Sequence, residues 1–197
     1  MAPLRNALVA LVLGLAASSG HATIINFTTN MTGGAEVPPN ASTATGSAQI
    51  RVDTVLHQML VNLSYTGLIG GNPAAAHIHC CQPSPATNVG VAVGFPGFPT
   101  TTSGTYSNLF DLTSLATYTS SFVTNFGSGT AAGAEAALIA GMIASRAYTN
   151  IHNATFPGGE IRGQTVQVPE PTTLALLSLA LGVLPWVRRQ GVRLQRR

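Results

Sequence analysis

The chain has 197 residues, of which only 8% are charged, and nine basic residues against six acidic ones give a formal net charge of +3. The positive charge lies at the two ends, because residues 23–167 carry three arginines against five carboxylates, a net charge of −2. A faintly acidic body without lysine lacks the basic surface of a nucleic-acid-binding protein. A body of about 145 residues suffices for one domain with its own hydrophobic core.

The first predicted element is an export signal at the N-terminus. Arg5 supplies a positive charge ahead of an apolar run over residues 7–17. Gly20 and Ala22 then place small residues at the two positions that a signal peptidase reads. We therefore predict a signal peptide over residues 1–22, with cleavage after Ala22.

Apolar residues in the body alternate with polar ones, which is the period of a half-buried β-strand. The clearest runs are residues 48–53 and 59–66, and clusters of Gly, Pro, Asn and Ser separate the other candidates. About seven short strands with turns between them favour an antiparallel β-sandwich or barrel. The other candidates are residues 75–79, 89–95, 105–112, 147–152 and 160–166.

One segment departs from the strand pattern and predicts a helix. Residues 131–146 are rich in helix formers, with Thr130 available as the N-cap, Glu135 toward the positive end of the helix dipole and Arg146 at its negative end. We predict a single crossover helix laid on the sandwich. Residues 94–104, rich in Pro, Gly and Thr, are expected to form a surface loop. The apolar stripe of the helix consists of Leu138, Ile139, Met142 and Ile143.

The C-terminal residues 168–197 contain Pro169, Glu170 and Pro171, then an uncharged apolar run over residues 172–187, then five arginines. This order of parts resembles the PEP-CTERM sorting signal of Gram-negative bacteria. The resemblance implies that an exosortase, a membrane protease-transpeptidase, recognises the Pro-Glu-Pro motif and removes the tail.

The apolar run fits a transient anchor in the inner membrane. As a transmembrane helix, residues 174–187 would cover about 21 Å, against about 30 Å for a hydrocarbon core. The arginines favour the cytoplasmic side, which leaves the body in the periplasm, at the cell surface or outside the cell. An ordinary C-terminal membrane anchor is the alternative, although it does not require the Pro-Glu-Pro motif.

Three motifs in the body resemble those of the CHRD domain, a module that is repeated in chordin and occurs singly in bacterial secreted proteins. The resemblance runs from about residue 25 to residue 167 and implies an immunoglobulin-like barrel similar to that of Cu,Zn superoxide dismutase. It implies no general biochemical activity. The motifs are Gly-Ala-Glu-Val-Pro-Pro at 34–39, Ala-Ala-His-Ile-His at 75–79, and Tyr-Thr-Asn-Ile-His at 148–152 running on to Pro-Gly-Gly-Glu-Ile-Arg-Gly-Gln at 157–164.

Three histidines are candidate metal ligands. His77 and His79 lie two apart on a predicted strand, so both imidazoles leave the same face and can share one copper or zinc ion. The same His-x-His pattern on a strand holds copper in the dismutases that the CHRD domain resembles. His152, in another motif, is the candidate third ligand. The alternative is that all three are hydrogen-bonded polar residues at the sandwich rim.

The other candidate site residues favour structural roles. Glu36 precedes a rigid Val-Pro-Pro segment, and Glu160 and Arg162 are expected to share a strand face, so the three form a possible carboxylate–arginine network that ties two loops together. Cys80 and Cys81 are adjacent, so they predict either a local vicinal disulfide or free thiols for a soft metal or another chain. Export favours the oxidised form.

No catalytic motif is present: there is no Gly-x-Ser-x-Gly elbow, His-Glu-x-x-His helix or Walker loop. The sequence therefore predicts an exported CHRD-domain protein, without enzymatic activity or cofactor, that acts as a structural or binding module of the cell envelope or extracellular matrix. Its expected partners are signal peptidase and exosortase during processing, and an exopolysaccharide or envelope component afterwards. The alternative is a copper- or zinc-binding protein, or a dismutase-like redox enzyme, that uses His77, His79 and His152.

Overall fold

The computed structural model describes residues 24–169 except Pro85. Nine strands, all paired antiparallel, form a half-barrel sheet, so the prediction of an all-β, sandwich-like fold is confirmed. The signal peptide with Ala22, and the sorting signal from Glu170 and Pro171 onward, lie outside the described residues. The strands are β1 (Ile24–Thr32), β2 (Thr45–Asp53), β3 (Gln58–Thr66), β4 (Pro73–Cys80), β5 (Val91–Gly94), β6 (Gly104–Asp111), β7 (Ala147–Asn153), β8 (Ile161–Gln164) and β9 (Val166–Val168).

The strands are ordered β5-β4-β7-β8-β1-β2-β3-β6, and β9 pairs with β1. Each of the seven predicted strands overlaps one of the observed strands β2 to β8. In β2 and β3 the predicted period of two is also the pattern of burial, because cross-strand partners such as Ile50 and Val61 are both buried. These inward residues form the core together with those of β1 and β6.

Strand β1 was not among the predicted strands. It pairs with β2 along its whole length and with β8 and β9 on its other side. Its inward positions are Phe27, Thr29 and Met31, all buried. A threonine in the middle of this inward row weakens the apolar alternation, which explains why the sequence pattern did not indicate a strand here.

Two α-helices are present in the described part of the chain, not the single helix predicted: α1 (Ser120–Phe126) and α2 (Ala131–Ile143). The predicted N-cap of α2 is confirmed, because the Thr130 hydroxyl accepts a hydrogen bond from the Gly133 N–H at 3.0 Å. The helix ends three residues earlier than expected. Ser145 takes a positive φ of 52° and the Arg146 N–H bonds to the Gly141 carbonyl, which closes the helix before Arg146.

Helix α2 packs Leu138 and Met142 into the core, whereas Ile143, predicted to lie on the same stripe, is 46% exposed. Glu135 pairs with the His57 imidazole, whose Nδ1 lies 2.9 Å from its carboxylate. Among residues 24–169 no single helix is long and apolar enough to cross a membrane, and α1 and α2 reach that length only as a pair bent by 81°.

Strands β4, β7 and β8 have a second, polar face. Their apolar residues, such as Ile78, Ile151 and Ile161, point into the core and are fully buried. Because side chains alternate along a strand, the intervening residues leave the opposite face, over which the loops containing Glu36 and residues 87–89 lie. We call this surface the polar face, and its residues are His77, His79, Tyr148, Asn150, His152 and Arg162.

Candidate functional site

The three candidate histidines lie together on the polar face. Each offers one ring nitrogen, and these three nitrogens all lie within 4.8 Å of one another. The ring centroids of His77 and His79 are 5.5 Å apart, and His152 lies 5.2 Å from His77 and 5.9 Å from His79. The antiparallel register produces this arrangement, since β7 places His152 beside Ala75 and Asn150 beside His77.

His79 is held in one orientation by two contacts. Its Nδ1 lies 2.7 Å from the Val89 carbonyl oxygen, so in the neutral ring this nitrogen carries the proton and donates. The ring stacks on Tyr148 with a centroid distance of 4.6 Å and an interplanar angle of 1°. Its Nε2 is buried and has no hydrogen-bond partner among the described residues. This lone pair is therefore available for a ligand.

His152 and His77 complete the cluster. The His152 Nδ1 lies 2.9 Å from the Pro157 carbonyl oxygen, and its Nε2 lies 2.9 Å from Oδ1 of Asn150. Two oxygen acceptors require a doubly protonated ring, unless the Asn150 amide is turned so that its NH₂ group donates to Nε2. The His77 Nδ1 is buried, and it too has no hydrogen-bond partner within residues 24–169.

The three imidazoles are neutral at neutral pH because burial lowers their pKa values. Burial, with smaller contributions from His152 and His79, lowers the pKa of His77 from 6.5 to about 4. Burial also lowers the pKa of His79 and that of His152. Neutrality favours turning the Asn150 amide, because a protonated His152 ring is disfavoured. At neutral pH all three imidazoles can therefore offer lone pairs to a metal ion without first losing a proton.

Arg162 and Glu36 are the charged residues beside the histidine cluster. The Arg162 guanidinium sits 3.5 Å from the centre of the Tyr148 ring, on which His79 also stacks, and donates to Oδ1 of Asn88 at 2.7 Å. Glu36 is only 4% exposed. Burial raises its pKa to about 7, against the opposing effects of the Arg162 charge and the Val37 N–H.

Asn150, which the sequence did not indicate as a site residue, lies between Glu36 and His152. Gly159 has a φ of +127°, and a β-carbon added to it would collide with Oε1 of Glu36 and approach Nδ2 of Asn150. Oε1 of Glu36 and Nδ2 of Asn150 therefore occupy the space that a side chain at position 159 would fill. The Glu36 Oε1 is itself buried without a hydrogen-bond partner in the described part of the chain.

Glu160 does not join Arg162, so the prediction of one network of three residues is wrong. The Glu160 carboxylate is fully buried and accepts hydrogen bonds from four donors. Glu160 precedes β8, which begins at Ile161, so the rule that residues two apart share a strand face does not apply to it. Its donors are the Ser42 hydroxyl, the backbone N–H groups of Ile69 and Gly70, and the Asn153 amide.

Cys80 and Cys81 form a vicinal disulfide in the structure. Cys80 is 1% exposed and belongs to the core, because it alternates with His79 along β4. The two sulfur atoms lie against Gly141 of α2, where a β-carbon would collide with both. The disulfide is therefore part of the packing between β4 and α2, on the side of the sheet away from the histidines.

The half-barrel sheet, its apolar core and its loop-covered polar face define a small β-sandwich domain. The chain belongs to the CHRD domain family, whose model matches residues 27–165. No curated protein and no solved structure matches it significantly.

Proposed function

We propose that this CHRD domain is an exported binding module of the cell envelope or extracellular matrix, and that its binding site is the histidine cluster. The proposed ligand is one copper or zinc ion, held by His77, His79 and His152. The proposed activity is binding and involves no catalysis.

The convergence of three imidazole nitrogens within 4.8 Å carries this proposal. Metal–nitrogen bonds of about 2.0–2.1 Å place ligand atoms about 3–4 Å apart around one ion, so a small rotation of the rings is sufficient to close the site. A buried polar atom without a partner costs about 1–3 kcal/mol, and this cluster contains two of them, on His77 and His79. A metal ion would satisfy both, and imidazole suits copper and zinc.

The contacts outside the cluster favour the same function. The carbonyl oxygens of Val89 and Pro157 accept hydrogen bonds from the Nδ1–H groups of His79 and His152. Such acceptors fix the tautomer and the orientation of metal-binding histidines, leaving Nε2 as the ligand. The low pKa values of the cluster also imply that protons compete with a metal only below the usual histidine range near 6.5.

Metal content is the decisive measurement. The purified chain, incubated with copper or zinc at pH 7.5 and freed of excess by gel filtration, is expected to retain about one ion per chain by elemental analysis. His77→Ala and His79→Ala should each reduce retention at least tenfold while remaining folded by circular dichroism. His57→Ala is the matched control, because His57 pairs with Glu135 and should leave metal content unchanged. A wild-type chain without metal above background would contradict the proposal.

We also propose that export and sorting follow the two terminal signals. Residues 1–22 direct export, residues 172–187 anchor the chain transiently in the inner membrane, and an exosortase acts at Pro169, Glu170 and Pro171. An exopolysaccharide or another envelope component is the proposed partner of the released domain. The Pro-Glu-Pro motif, the short apolar run and the five terminal arginines support this proposal.

Processing can be measured by intact mass on protein isolated from the native host. The mature chain is expected to begin near Thr23 and to lack the arginine tail that follows the Pro-Glu-Pro motif. Glu170→Ala is the control, since it alters the motif without changing the apolar run, and it should leave the tail attached. A wild-type protein that retains Arg196 and Arg197 would exclude exosortase processing.

A further inference from the structure

We propose that the metal ion held by His77, His79 and His152 keeps one open coordination position, which a small exogenous anion occupies. This inference rests on the proposed metal binding and adds the class of ligand that the bound ion accepts. It distinguishes a reactive or ligand-exchanging centre from a closed structural one.

The number of protein donors is the first argument. Within residues 24–169, the group that could hold an ion consists of three histidines and includes no cysteine or carboxylate. Closed structural zinc sites have four protein ligands, whereas sites with three keep a position for water or another small molecule. With three protein ligands, this cluster belongs to the sites that keep a position for water or another small molecule.

Asn150 is the side chain placed to compete for the fourth position, because its amide lies against the His152 ring, with Oδ1 2.9 Å from Nε2. A neutral His152 ring favours turning this amide, so that its NH₂ group faces Nε2. The NH₂ group is a hydrogen-bond donor and offers no lone pair to a metal ion, so Asn150 leaves the fourth position open.

The charge of the centre selects an anion. Three neutral imidazoles leave a divalent ion with its full charge of about +2 in a partly buried site. Glu36, whose Oε1 converges with Nδ2 of Asn150 on Gly159, is opposed by the positive charge of the Arg162 guanidinium. An incoming anion therefore gains more than a neutral donor of the same size.

Azide titration of the Cu²⁺-loaded chain tests the proposal. We expect a saturable ligand-to-metal charge-transfer band and a changed electron paramagnetic resonance spectrum, with copper content still one per chain. Copper that binds stoichiometrically but does not respond to azide would overturn the open position while leaving the proposed metal binding intact. A chain that binds no copper would overturn both, so the two failures are distinguishable.

Discussion

Glu160→Gln is expected to destabilise the domain by about 2–4 kcal/mol, a large part of the stability of a typical single domain. The Glu160 carboxylate is fully buried, and each of its oxygens accepts two hydrogen bonds. Glutamine presents an NH₂ group in place of one oxygen. Whichever way its amide turns, that group faces the backbone N–H of Ile69 or Gly70, so a buried donor loses its acceptor.

Urea denaturation of the purified wild type and variant measures this loss. Glu135→Gln is the matched control, because its carboxylate pairs with His57, whose side chain is 49% exposed. A contact with a solvent-exposed partner contributes up to about 1 kcal/mol, even where both groups are charged. A loss at Glu160 no larger than that at Glu135 would show that the four hydrogen bonds do not carry the stability assigned to them.

An element of the fold could be predicted from the sequence when the contacts that determine it are close along the chain. Strands β2 and β3 are joined by a short turn and carry an uninterrupted inward row of apolar residues, so period two was enough to place them. Strand β1 obtains its register from β2 and β9, the latter more than a hundred residues away, and its inward row includes Thr29. Helix α1 has only seven residues, among them Ser, Thr and Asn, too few for a periodic signal.

The candidate site was predictable where it depended on one strand. The spacing of His77 and His79 placed both on one face, which the structure shows, but the position of His152 depends on the register between β4 and β7. The contacts around the cluster were not predictable, because their residues lie on separate elements that only the folded chain brings together. Val89 and Pro157 lie on two different loops, and Asn150 lies on β7. Hydrogen bonds to main-chain carbonyl groups cannot be recognised from the pattern of side chains in the sequence.

The pH dependence of folding reflects two opposing sets of buried groups. His77 has a pKa of about 4 in the folded chain against 6.5 in the unfolded one, so its contribution to stability is complete above 6.5 and is lost as the pH falls toward 4. Glu36 acts in the opposite direction, because burial raises its pKa from 4.5 to about 7. Between pH 4.5 and pH 7 Glu36 is therefore protonated in the folded chain and ionised in the unfolded one, so stability falls as the pH rises through this range.

Glu36→Gln isolates the carboxylate part of this balance. Because the histidines are common to both proteins, the difference in free energy of unfolding between variant and wild type reports Glu36 alone. That difference should move in favour of the variant by up to about 3 kcal/mol between pH 4.5 and pH 7 and stay constant above pH 8. Urea denaturation of the metal-free proteins at several pH values measures it. A difference that is independent of pH would mean that Glu36 titrates in the folded chain as it does in the unfolded one, and that its burial beside Asn150 and Arg162 does not hold a proton.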